Sequence, residues 1–182
     1  MIKRKLTNHE TEEARLVFKN SLDPLHVIIH EQARWPDVIG RIGAWLRKED
    51  PPSANAVTLG QHIFFPRRLA NPVGEIPVLS QTDAAWLIHE LTHVWQYQNL
   101  GLCYVLKTVW LHLKSRHNIY RYGGPQELNR RTAQGEGFLS FNAEQQGEIT
   151  REYYLRLKRN LDLTAWSPYI HELQYFNSSD RG

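Results

Sequence analysis

Apolar and polar positions along the chain sort into segments of two periods. From Trp86 to Leu100 apolar residues fall nearly all round a helical wheel, the pattern of a helix sunk in a core. Asp83, after Thr82, offers a cap for its start, and Gly101 a stop. Val105, Val109, Trp110 and Leu113 recur at helical spacing between Tyr104 and Arg116, until Tyr120-Arg121-Tyr122-Gly123-Gly124-Pro125 breaks the run. Asn142 with Gln145 three residues on is a capping-box pattern, and it predicts a helix to about Arg159. Pro168 opens a last short helix through His171 and Leu173. Near the N-terminus, Thr7 or Asn8 caps a helix whose first turn is acidic and which Lys19 closes.

The period-2 signal is sparser. After a turn at Ser21-Leu22-Asp23-Pro24, the segment Leu25–His30 is apolar and β-branched, and predicts a short strand. A strand would hold His26 and His30 about 13 Å apart, too far for one ion. Ala56–Phe65 predicts two strands about a Gly60-Gln61 turn. Pro36 and Pro51-Pro52 bracket Asp37–Asp50, where Val38, Ile42 and Trp45 suit a short helix. Residues 66–80 contain Pro66, Pro72, Pro77 and Gly74 and read as a loop; residues 123–140 read as a connector covering a cleft. The whole predicts one α+β domain over residues 1–182, without repeats or low-complexity tracts.

Composition narrows the partners. The net charge is +3, and the basic clusters, such as Ile2-Lys3-Arg4-Lys5 and Arg156-Leu157-Lys158-Arg159, read as solvated surface, with no nucleic-acid motif beside them. A single cysteine, Cys103, excludes an internal disulfide, and its apolar setting reads as a buried structural thiol. No apolar run suffices for a membrane span, and no h-region follows Met-Ile-Lys-Arg-Lys. The expectation is a protein made in the cytoplasm whose export would use a route independent of a signal peptide.

The chemistry sits inside the buried helix. His89-Glu90-Leu91-Thr92-His93 matches H-E-x-x-H. Residues four apart share a helix face, so His89 and His93 can offer two imidazole nitrogens to one ion. Glu90, about 100° round, can reach a water bound there. Zinc suits this donor set, and catalytic zinc carries three protein ligands and an open position. A hydrogen-bonded pair of core histidines is the bland alternative. The third ligand is not a metzincin histidine, because Gln96 and Asn99 occupy the Gly and His positions of that pattern. Glu144 is the best candidate, with Glu148 at i+4 placed to accept a hydrogen bond from a ligand histidine. Like charges at that spacing repel unless a cation or partner sits between them. Glu148 itself, His117, His112, Glu136 and His171 are competing ligands.

Together, His-Glu-Leu-Thr-His-Val-Trp-Gln at 89–96 and Asn-Ala-Glu-Gln-Gln-Gly-Glu-Ile at 142–149 give the chain a family likeness. It resembles the small metallopeptidase-like Vgr-related proteins and the DUF4157 domain found with phage-tail-like contractile injection systems. That domain also sets a Thr-x-Gly-x-x-Ile-x-Phe hairpin before its H-E-L-T-H-V-x-Q; here Thr58–Phe65 supplies it. The resemblance implies a zincin-like fold, with His89, His93 and Glu144 as zinc ligands, Glu90 as catalytic base and Glu148 behind a histidine. Where larger gluzincins usually carry Asp, this chain has Glu148. The resemblance further implies a secretion-apparatus partner and the role of an effector or accessory protease.

The sequence reading is therefore a zinc metallopeptidase acting on peptide, protein or peptidoglycan-type amides. Tyr122, Tyr153, Tyr154 or a neighbouring histidine would stabilise the oxyanion. A zinc-stabilised, non-catalytic adaptor of a secretion apparatus is the alternative, and a basic nucleic-acid binder the third.

Overall fold

The computed structural model describes residues 1–33, 56–71, 78–102, 104 and 120–176. The expected helix around Val38, Ile42 and Trp45, the Cys103 thiol, the helix predicted to run on to Arg116, and His112 and His117 lie outside these residues.

The predicted hairpin forms as β3 (Val57–Leu59) and β4 (His62–Phe64), antiparallel, with Gly60 at φ +62° in the turn. The next strand inward, β2 (Ile28–Glu31), runs parallel to β4, and β1 (Ile2–Lys5) closes the far side antiparallel to β2. The order is β1-β2-β4-β3, which leaves β3 at an edge. Ile29 and Ile63 are paired in register and fully buried. β2 starts later than its apolar run implies, because Asp23 and Pro24 cap a 3-10 turn over Pro24–His26. His26 therefore leaves the strand and bonds Asp23, while His30 bonds His62.

Helix α1 (Asn8–Phe18) begins at a Thr7–Glu10 capping box and sends Val17 and Phe18 into the core. Arg4 of β1 spans Glu10 of α1 and Glu31 of β2, tying the N-terminal elements together. Helix α2 (Gln81–Leu100) starts earlier than Asp83 suggested. Ser80 is the cap, accepting from the Asp83 amide, and the Asp83 carboxylate pairs with Arg67 instead. Gly101 ends α2 at φ +82°. The loop expected over 66–80 also contains a short antiparallel ribbon, β5 (Ala70–Asn71) with β6 (Val78–Leu79).

The expected connector over 123–140 is a helix for half its length, α3 (Gly124–Ala133), followed by a 3-10 turn at Phe138–Ser140. Pro125 pre-sets its first turn, and Glu127 pairs with Arg130 and Arg131 at i+3 and i+4. Leu128 is fully buried, and Tyr169 donates to its carbonyl, so α3 is anchored on the last helix. Helix α4 (Ala143–Lys158) opens with the predicted Asn142–Gln145 box, and α5 (Ser167–Gln174) follows Trp166. The core gathers α2, α4, α1 and α5 against one face of the sheet around Trp95, Ile149, Tyr154 and Trp166. Mixed α+β architecture is thus observed. Among the described residues no helix is long and apolar enough to cross a membrane.

Candidate metal centre

Two helices build the site. α2 is buried from Asp83 to Gln96 apart from Trp86 and His93, and it crosses α4 closely enough that the hydroxyls of Thr92 and Thr150 meet at 2.6 Å. This contact sets the N-terminal turns of α4 against the middle of α2. His89 Nε2 lies 3.3 Å from His93 Nε2 and 3.3 Å from Glu144 Oε2, and His93 Nε2 lies 3.6 Å from that oxygen. Three ligands held about 2.0–2.1 Å from a tetrahedral ion stand about 3.3–3.4 Å apart. The three side chains therefore fit such an ion, and among the described residues His89, His93 and Glu144 are the group able to hold a metal.

The remaining ring nitrogens are assigned by their neighbours. Glu148 Oε1 lies 3.1 Å from His89 Nδ1. A carboxylate only accepts, so Nδ1 carries the proton and Nε2 faces the centre. His93 Nδ1 is 2.9 Å from Gln96 Oε1. The Gln96 amide nitrogen donates to the Ala143 carbonyl at 3.1 Å and to Gln146 Oε1 at 2.9 Å. Its oxygen must then face His93, whose Nδ1 is the donor. Gln146 in turn donates to the Phe141 carbonyl and the Tyr104 hydroxyl. Both histidines thus present the nitrogen that a metal needs.

Electrostatics agree with the geometry. Burial pushes the His89 imidazole towards its neutral form, but hydrogen bonds to Glu144 and Glu148 outweigh it and raise its pKa to about 10. His93 is raised likewise, burial again being outweighed by Glu144. Burial acts to raise the Glu144 carboxyl, and the two histidines bring it well below the usual range. Glu144 and Glu148 thus make the pocket favour positive charge, which a divalent cation would supply.

Glu90 is buried and its Oε2 accepts from the Thr58 hydroxyl on edge strand β3 at 2.6 Å. The edge strand therefore touches the helix at the residue after the first histidine. Gly147 was not singled out by sequence. A Cβ there would stand 2.7 Å from His89 Cε1 and 2.9 Å from each ring nitrogen, so the missing side chain is the seat for the imidazole. Every position of Glu-Gln-Gln-Gly-Glu-Ile now has a task, from Glu144 facing the histidines to Ile149 in the core.

Of the competing ligands within the described residues, Glu148 stands at the far side of the His89 ring, and the other two have partners of their own. Glu136 pairs with Arg131, and His171 packs on Tyr175. Two of the proposed oxyanion donors are engaged: the Tyr122 hydroxyl donates to Glu152, and the Tyr154 hydroxyl donates to Glu13. Tyr153 is half-buried against the core and feels the charge of Lys19. Tyr120, which sequence reasoning passed over, stands with its ring 6.3 Å from that of His89.

The eCIS core domain matches residues 47–101, a span that contains the β3–β4 hairpin and α2 and ends before Glu144. Over 173 residues the chain is 28% identical to the type VI secretion system spike protein VgrG2b of Pseudomonas aeruginosa. The alignment covers 95% of this chain and 15% of that protein, so the chain spans a small part of its curated relative's length. No solved structure matches the chain. Both similarities support a link to contractile injection systems.

Proposed function

We propose that the chain is a zinc-dependent hydrolase, a metallopeptidase that cleaves amide bonds and serves a contractile injection or type VI secretion apparatus as an effector or accessory protease. The observation that carries this reading is the trio His89, His93 and Glu144 at tetrahedral spacing, with Glu148 and Gln96 fixing the two imidazoles from behind. Structural zinc sites close their shell with four protein ligands, whereas three leave a position for water or substrate.

When bound, zinc would supply an activated water and a Lewis acid for the amide carbonyl. The chain's own residues do the rest. His89, His93 and Glu144 would hold the ion. Glu90 accepts the proton of the attacking water and returns it to the leaving amine. Thr58 fixes which Glu90 oxygen is engaged and leaves the other for that transfer. Tyr120 is the phenol adjoining His89 that could meet the developing oxyanion.

Elemental analysis of purified wild type, His93→Ala and Glu144→Ala tests the centre. Stoichiometric zinc is expected in wild type only, and full zinc in Glu144→Ala would move the third ligand elsewhere. Glu90→Gln separates enzyme from adaptor: it should keep its zinc and lose hydrolysis of an unfolded protein substrate. A Glu90→Gln chain that retained both metal and every biological effect would establish the adaptor instead.

A further inference from the structure

Along α4, past the turn that faces the histidines, lies a depression of about 280 Å³. The wall nearest the centre is Glu148, the carboxylate that holds His89 Nδ1. Beyond it three guanidinium groups, on Arg151, Arg156 and Arg159, face one further acid, Glu152. Leu155 and Leu161 add apolar surface, and Leu161 is 48% exposed.

The arginines are unequal. Arg151 donates to both Glu148 oxygens, at 3.0 and 3.2 Å, and is largely neutralised. Arg156 is fixed in place: Nε donates to the Asp162 carbonyl at 2.7 Å, and the guanidinium lies 4.2 Å from the Trp166 ring centroid. Its carboxylate neighbour, Glu152, is 3.7 Å away and already accepts from Tyr122. Arg159 has a long contact with the Gln81 side chain and no carboxylate partner among the described residues. Cations near a helix C-terminus also serve its dipole. Here, however, three converge on one concavity against two acids, which pair with Arg151 and Arg156 and leave Arg159 as the cation in excess.

Resting on the hydrolase reading above, we propose that this depression binds a carboxylate of the amide substrate, an acidic side chain flanked by apolar atoms and several residues removed from the bond presented to the metal centre, since Arg159 lies about 22 Å along α4 from Glu144. Planar guanidinium groups match a carboxylate in fork geometry. The volume suits one side chain rather than a large ligand. Two glutamates on the rim disfavour a phosphate dianion, and Leu155 and Leu161 suit an aliphatic neighbour.

The test uses the zinc-loaded Glu90→Gln chain, so that turnover does not interfere, titrated with a blocked leucyl-glutamyl-leucine peptide and its glutaminyl counterpart. Binding is followed by NMR at Leu155, Leu161 and the arginine Nε–H groups. The glutamyl peptide should bind about tenfold more tightly, with Arg159→Gln abolishing most of that preference and Arg159→Lys keeping part of it. Equal binding of the two peptides, or a preference untouched by Arg159→Gln, would overturn the proposal. So would a short DNA duplex that displaces the peptide from these residues with steep salt dependence, which would make the patch a nucleic-acid surface. A glutamyl preference in a chain whose wild type cleaves nothing would sink the peptidase reading and leave the carboxylate site standing.

Discussion

Substituting Gly147 by alanine asks whether the proposed metal centre depends on the absence of one methyl group. The added Cβ would stand 2.7 Å from His89 Cε1, against an ordinary carbon contact of about 3.5 Å, so ring and helix must separate by about 0.8 Å. Metal–ligand distances tolerate about 0.2 Å. If the ring yields, His89 Nε2 leaves its 3.3 Å spacing to His93; if α4 yields, Glu144 moves off with it. The fold should survive, since overpacking costs about 1–3 kcal/mol and alanine returns about 0.5–1 kcal/mol of helix preference over glycine. Zinc affinity should fall by at least the 10–100-fold typical of disturbed metal-site partners, about 1.4–2.8 kcal/mol. Competition against a zinc chelator of known affinity, with helix content followed by circular dichroism, measures both. A Gly147→Ala chain with wild-type helix content and wild-type zinc affinity would refute the reasoning.

Further expectations concern the residues around the histidines and the acid limb of stability. Glu148→Gln keeps the shape but removes the charge facing His89 Nδ1, and should weaken zinc binding about tenfold in the same competition assay; no change would mean that this carboxylate does not orient the ring. Gln96→Leu leaves His93 Nδ1, the Ala143 carbonyl and the Gln146 amide each short of a partner, and should cost about 1–3 kcal/mol or more in urea unfolding. Wild-type stability in that variant would show the buried amide chain to be dispensable. Glu13 is pushed up by burial, but the Tyr154 hydroxyl and the Lys158 ammonium outweigh this and hold it below its ordinary 4.5. Its stabilising contribution is therefore complete above that pH and is lost as pH falls through the lower folded value. Unfolding free energies measured downward from pH 6 should show a shallower acid decline in Glu13→Gln than in wild type, and parallel declines would remove Glu13 from the account.

Local signals were legible because their physics closes within a few residues. The i,i+4 pair His89 and His93, the cap at Thr7 or Asn8, the box at Asn142–Gln145, the stop at Gly101 and the Gly60-Gln61 turn each depend on hydrogen bonds or helix geometry spanning at most four positions. Where local rules competed, the reading slipped. Ser80 took the cap because Asp83 had Arg67 to bind, and the glycines before Pro125 masked a helix that Glu127 and its arginines support.

What the chain alone determined, then, is a buried helix carrying two imidazoles on one face and a second helix carrying acids four apart. Which acid meets the imidazoles was decided by the packing of α4 across α2: it turned Glu144 toward both rings and Glu148 behind one, and its Ala143 and Gln146 oriented the amide of Gln96 behind the other. The same packing made Gly147 a seat for His89, and the packing of β3 on α2 brought Thr58 to Glu90. Contacts between residues some thirty to sixty positions apart depend on which faces of two elements interdigitate, and no short-range periodicity encodes that choice.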